Sequence, residues 1–119
     1  MKRILVIDDN TDLLLSLKLF LSKEGYEVKT STSCKDGLHI LSAFAPQLVL
    51  LDINVGDEDG RDMCRQIKSQ AEFRHIPVVL ISANLELLGR FKEYGANHAL
   101  PKPFSLSSLL TAVERSIGP

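Results

Sequence analysis

Five polar residues each stand directly after, or close after, a short apolar run. Asp8 and Asp9 follow Ile4–Ile7, Asp52 follows Leu48–Leu51, Ser82 follows Val78–Ile81, and Lys102 comes two positions after the weaker run Ala99–Leu100. Brought together, these would be three carboxylates, a hydroxyl and an ammonium. Three crowded carboxylates raise one another's pKa and are costly to hold ionised, so the set calls for a hard divalent cation to offset the repulsion. Magnesium (Mg2+) suits it, because it takes a few carboxylate or carbonyl oxygens and keeps several waters. Asp52, at the end of an apolar and therefore rigid run, is placed as a nucleophile: an ionised carboxylate needs no separate base and can form an aspartyl-phosphate. Lys102 and Ser82 would then meet the phosphoryl oxygens, since such transfer is mostly positioning and charge stabilisation. Taken singly, each residue has a plainer role, with Asp8, Asp9 or Ser82 capping helices and Lys102 lying in solvent.

Convergence requires that the runs be parallel strands of one sheet. The first three runs are continuous rather than alternating, which is the pattern of strands buried on both faces. Tyr26–Thr30 is more amphipathic and reads as an edge strand. Between the strands lie helical patterns: from Asn10 or Thr11 through Leu13, Leu17 and Leu21 to a stop at Gly25, then about residues 35–44, 60–69, 85–94 and 106–117. Strict alternation with right-handed crossovers predicts an α/β fold with a doubly wound five-stranded parallel sheet, order 2-1-3-4-5, in a flavodoxin-like three-layer sandwich. In that order, ligands bind beyond the carboxyl ends of the strands at the switch point between the first and third. The five polar residues occupy those ends.

The 119 residues, 45% hydrophobic and 24% charged, suffice for one domain spanning 1–119 and leave no room for a second. A net charge of −1 with no dense Lys/Arg stripe gives no basis for direct nucleic-acid binding. The apolar run at the amino terminus is too short for a signal peptide, and Leu13–Leu21 is interrupted by Ser16 and Lys18, well below the length of a membrane span. No membrane insertion and a cytoplasmic location are the expectation. Cys34 and Cys64 form no CxxC pair and read as buried free thiols. Asp57, Glu58 and Asp59 lack the spacing of a calcium loop and read as a solvated acidic turn.

Four segments in this order, Ile7-Asp8-Asp9, Leu51-Asp52-Ile53-Asn54 with Asp59-Gly60, Ile76-Pro77-Val78-Val79-Leu80-Ile81-Ser82-Ala83 and Lys102-Pro103-Phe104, resemble response-regulator receiver domains over the whole chain. The resemblance implies that Asp52 is the phosphoacceptor. It further implies that Asp8, Asp9, Asp52 and the backbone carbonyl of Asn54 arrange Mg2+ and its waters, and that Ser82 and Lys102 contact the phosphoryl group. A cis peptide between Lys102 and Pro103 is implied too. The implied donor is a phosphohistidine on a sensor histidine kinase or histidine phosphotransfer protein. The implied recipient of the signal is a downstream target protein or an output domain outside this chain.

Three positions depart from the family's pattern. Gly56 stands where proline is frequent, Pro101 stiffens the Pro-Lys-Pro segment, and Ala99 replaces the tyrosine or phenylalanine whose rotamer usually follows the hydroxyl's movement. A methyl group cannot make that motion, so the output surface would be coupled differently, through backbone shifts or His98. The leucine-rich first helix offers more apolar positions than one face needs, as core packing with incidental exposure or as a patch for a partner or a homodimer. Two other functions compete with the phosphorylation switch. A metal-dependent aspartyl phosphohydrolase would want a general acid two residues after the nucleophile, where Asn54 stands. A phosphorylation-independent interaction module would not need the full acidic and lysine set.

Overall fold

The computed structural model describes residues 1–118. Five strands, β1 (Arg3–Ile7), β2 (Glu27–Ser31), β3 (Leu48–Asp52), β4 (Val78–Ser82) and β5 (His98–Pro101), form one sheet in the order 2-1-3-4-5, every pairing parallel. Five helices connect and flank them: α1 (Thr11–Lys23), α2 (Cys34–Phe44), α3 (Gly60–Ser69), α4 (Leu85–Gly89) and α5 (Leu106–Ile117). This is the predicted doubly wound, flavodoxin-like arrangement.

The continuous apolar runs are buried on both sides because each face has its own helical layer. Leu5, Ile7, Val49, Leu51, Val78 and Leu80 pack with Leu41 of α2, Met63, Cys64 and Ile67 of α3 and Leu88 of α4. The alternate residues Ile4, Val6, Leu48, Leu50, Val79 and Ile81 pack with Leu14, Leu17 and Leu21 of α1 and with Leu109 and Val113 of α5. Every residue of β3 and β4 is buried, whereas β2 alternates as an edge strand should. Register does the positioning. Ile7 pairs with Leu51, and Asp52 with Ile81, so the residues that end β1, β3 and β4 finish at one level of the sheet.

Each helix opens on a side-chain cap: Asn10 accepts from the Leu13 amide, Ser33 from Asp36, Asp59 from Arg61, Asn84 from Leu87 and Ser105 from Ser108. The α1 helix stops where expected, with Gly25 at φ 95°. Elsewhere the boundaries shift. The second strand starts at Glu27 rather than Tyr26, because the Tyr26 amide donates to the Leu21 carbonyl and its ring is buried under α1. The second helix starts one residue before the expected Lys35, since Ser33 supplies the cap. The helix expected over 85–94 is broken: α4 ends at Gly89, and after Arg90 a 3-10 turn covers Phe91–Tyr94. Glycine's helix penalty of about 1 kcal/mol relative to alanine outweighs the apolar spacing that carried the expectation.

In α1, Leu14, Leu17 and Leu21 enter the core and Leu13 and Phe20 pack at its margin, leaving Leu15 and Leu19 outward at 60% and 58% exposure. Most of the leucine excess is core packing. No helix among the described residues is long and apolar enough to cross a membrane.

Candidate functional site

The three strand-end residues Asp8, Asp52 and Ser82 are buried, although each carries a polar side chain. Each is satisfied in the same way, by the amide two positions further on. Asn10 N–H donates to Asp8 Oδ1 at 2.9 Å, Asn54 N–H to Asp52 Oδ1 at 2.8 Å, and Asn84 N–H to Ser82 Oγ at 2.9 Å. All three donors are asparagines, a repeated Asp/Ser-x-Asn pattern visible in the sequence but not singled out there. Asn10 and Asn84 also cap the helices that follow, so one short turn both fixes the polar side chain and starts a helix.

The pinned oxygens leave the other two free to point at one another's neighbour. Lys102 Nζ lies 3.0 Å from Asp8 Oδ2 and also donates to Asp52 Oδ2, so a single ammonium bridges both carboxylates. Its backbone is tied to the same place: Lys102 N–H donates to the Ser82 carbonyl at 3.0 Å, and the Lys102–Pro103 peptide is cis, as expected. Asp9 and Asn54 are exposed at the rim. The fold therefore puts Asp8, Asp52 and Lys102 in direct contact, with Ser82 at the adjoining strand end and Asp9 and Asn54 around the opening. A shallow, mostly apolar groove lined by Asn10, Leu13, Ala83, Lys102, Pro103 and Phe104 opens beside the ammonium.

Burial dominates the electrostatics. It pushes the Asp52 carboxyl up to about 6, against the pull of the Lys102 ammonium and with a further push from Asp8. Burial also acts on Asp8, but the Asn10 amide, Asp52 and Lys102 together hold it below the usual carboxylate range. The two carboxylates share one ammonium, and of the pair Asp8 carries charge more readily. Lys102 is disfavoured by burial, yet the two carboxylates keep it above its ordinary value. Two hard oxygens already converging on one cationic point is donor chemistry that fits Mg2+, which needs only a few protein oxygens and fills the rest of its shell with water. Among the described residues, no group of three or more His, Cys, Asp or Glu is placed to hold a metal ion by itself, so the carboxylates brought together are Asp8 and Asp52, with Asp9 apart at the rim.

The loop after Asp52 overturns one expectation. Residues 57–59 are not simply a solvated acidic turn: Asn54–Val55 and Glu58–Asp59 pair as a small antiparallel hairpin. Glu58 reaches across to α2, its two oxygens accepting from the Cys34 and Lys35 amides at 2.7 and 3.1 Å. Asp59 caps α3 and grips the Arg61 guanidinium, with Nη2 to Oδ2 at 2.7 Å. Asp57 is exposed. A second residue beyond the expected set is Gly60. It lies so close beneath the acidic site that a Cβ there would stand 2.0 Å from the Asp52 carbonyl oxygen.

A sequence profile described as the response regulator receiver domain matches residues 4–114. The chain belongs to that family. It is 34% identical over 110 residues to the response regulator MprA of Mycolicibacterium vanbaalenii, covering 91% of this chain and 47% of that protein. It is 30% identical over 115 residues to the transcriptional regulatory protein GltR of Pseudomonas aeruginosa, covering 95% and 48%. The chain thus spans about half the length of the curated relatives it matches. Among solved structures, the receiver domain of NtrX from Brucella abortus superposes with a TM-score of 0.88 at 34% identity, covering 96% of this chain and 97% of that one. As a receiver of the response-regulator type, the chain is a signalling domain of the two-component class.

Proposed function

We propose that this receiver takes a phosphoryl group onto Asp52 from a phosphohistidine of a sensor histidine kinase or a histidine phosphotransfer protein, and that the added charge switches a partner-binding surface. The observation that carries the reading is the shared ammonium: with both Oδ1 atoms fixed by backbone amides, the free oxygens of Asp8 and Asp52 meet at Lys102.

In the transfer, an oxygen of Asp52 bonds to phosphorus as the P–N bond breaks. The electron pair goes to the ring nitrogen of a donor imidazole that is protonated on its other nitrogen, so neutral histidine departs and no base is required. Lys102 leaves the carboxylates for the incoming phosphoryl oxygens, and Ser82 donates to another. Mg2+ held by Asp8, Asp9, Asp52 and the Asn54 carbonyl would neutralise charge that one ammonium cannot. The charge change at Asp52 then biases an equilibrium between two surface arrangements that a downstream protein or an appended output domain reads.

Intact mass after incubation with acetyl phosphate tests this, with and without Mg2+ and beside Asp52→Asn. The expected result is a single phosphate adduct that needs Mg2+ and is absent from the variant. Failure with both acetyl phosphate and a phosphohistidine donor would instead favour a module that signals by binding alone.

A further inference from the structure

Ala99 lacks the aromatic that receivers commonly carry at that position of β5, but an aromatic sits nearby in a different connection. Tyr94, in the 3-10 turn after α4, is 4% exposed, and its hydroxyl donates to the Leu87 carbonyl of α4 at 3.0 Å. Its ring is covered by two guanidiniums of α3, Arg61 at 5.5 Å and Arg65 at 5.2 Å from the centroid. Arg61 is the residue gripped by Asp59, through both Oδ atoms. Asp59 pairs with Asn54 across the hairpin, and the Asn54 amide holds Asp52 Oδ1. A continuous series of specific contacts therefore runs from the acidic site, through the hairpin and the first turn of α3, to the Tyr94 ring and on to α4.

The far end of this series is a short element, capped by Asn84 and packed on the core through Leu88 and the partly buried Leu87. The α4 helix has five residues, only Leu88 of them buried, and ends at a glycine. The Leu87 carbonyl accepts from the Arg90 amide at 3.1 Å as well as from the Tyr94 hydroxyl, and for so short a helix each such bond counts, since isolated helices of this length are unstable. A cation over an aromatic face is attractive but depends on placement, so displacement of Arg61 by its Asp59 partner alters how the ring is held. We propose that Tyr94 is a positioning residue that couples the loop after Asp52 to helix α4, doing through Arg61 what an aromatic on β5 cannot do here. Ordering of the loop seats Arg61 on the ring, the ring sets the hydroxyl, and the hydroxyl closes α4. The part played by phosphorylation rests on the reading of Asp52 as acceptor. The coupling of loop to helix does not.

Amide hydrogen exchange on the full chain, read by mass spectrometry over residues 84–94, tests the coupling in two ways. One perturbation is Mg2+ with beryllofluoride, a phosphoryl mimic. The other is Asp59→Asn, which keeps a helix-capping side chain but removes the charge that grips Arg61 and needs no ligand. In the wild type the mimic slows exchange over 84–94 and Asp59→Asn speeds it, each about five-fold, the equivalent of roughly one net hydrogen bond. In Tyr94→Phe, which keeps the ring, baseline exchange of α4 rises and neither perturbation moves it further. A purely structural role for the hydroxyl would raise the baseline and leave both responses intact, and that result overturns the proposal. So does an Asp59→Asn chain whose α4 exchanges as in the wild type. If the mimic alters nothing, even over residues 52–60, while Asp59→Asn acts only when Tyr94 is present, then the acceptor reading fails and the coupling stands.

Discussion

Replacing Gly60 with alanine isolates the close approach beneath the acidic site. The new Cβ would lie 2.0 Å from the Asp52 carbonyl oxygen and 3.0 Å from both the Asp52 carbonyl carbon and the Ile53 Cα. All three atoms are backbone, so no rotamer change relieves the overlap. The end of β3 and the first turn of α3 must separate by roughly 1 Å, which also stretches the Gly60 amide's 2.7 Å bond to the Ile53 carbonyl. Over-packing typically costs about 1–3 kcal/mol, and an unyielding backbone target places this case at the upper end. Against that, alanine gains about 0.4–1 kcal/mol by restricting the unfolded chain. The net loss is about 2 kcal/mol, a shift in Tm of roughly 10 °C for a domain of this size.

Gly89→Ala is the matched control. That position has negative φ and nothing within 4 Å of a built Cβ, and it lies in the last turn of α4. The same substitution there stabilises by about 0.5–1 kcal/mol. Urea denaturation monitored by far-UV circular dichroism gives both values on one scale. The adduct yield of Gly60→Ala should also fall, because the carbonyl that must move belongs to Asp52 itself. A Gly60→Ala chain within 0.5 kcal/mol of wild type would show that the strand and helix are free to separate, and the account of how Asp52 is held would be wrong.

Three further outcomes follow from the same contacts. A carboxyl raised in the fold retains its proton more readily than in the unfolded chain, so its contribution falls as pH rises; metal-free wild type should lose stability between about 3.8 and about 6. Asp8 acts in the opposite sense at lower pH, because its carboxyl is depressed and its stabilisation disappears as pH falls. Asp52→Asn should flatten the upper window and be the more stable chain at pH 7, by thermal melts in chelator. Glu58→Ala removes two charge-assisted bonds at the start of α2 and should cost about 1–2 kcal/mol, with exchange of the Cys34 and Lys35 amides accelerated most. Burial pushes the Cys64 thiol up to about 11 and, with nearby Glu58, Asp59 and Asp62, the Cys34 thiol up to about 12. Neither should be alkylated by iodoacetamide at pH 8 until the chain is unfolded.

The strands that place the site were legible because their signal is local. Leu48–Leu51 and Val78–Ile81 announce burial on both faces within a few residues, and the polar residue that ends each run is fixed by counting. Asp8, Asp52 and Lys102 could thus be assembled from strand order alone. The break in the fourth helix has its mark in the sequence, Gly89, but a single glycine inside a helical pattern does not by itself end a helix. A two-residue ladder such as Asn54–Val55 with Glu58–Asp59 is too short to show an alternation at all.

Glu58 and Tyr94 fail for a more general reason. What Glu58 and the Tyr94 hydroxyl bind is backbone, the amides of Cys34 and Lys35 in one case and the Leu87 carbonyl in the other. Every residue except proline offers the same amide and carbonyl, so such a partner leaves no mark of its type on the sequence. Contacts between paired side chains constrain two identities; a side chain on backbone constrains one, and an acidic residue in a loop then looks like any solvated charge. The same holds for Gly60, whose constraint is the Asp52 carbonyl. The parts of this receiver that hold the acidic site in place are therefore harder to see in the sequence than the residues that form it.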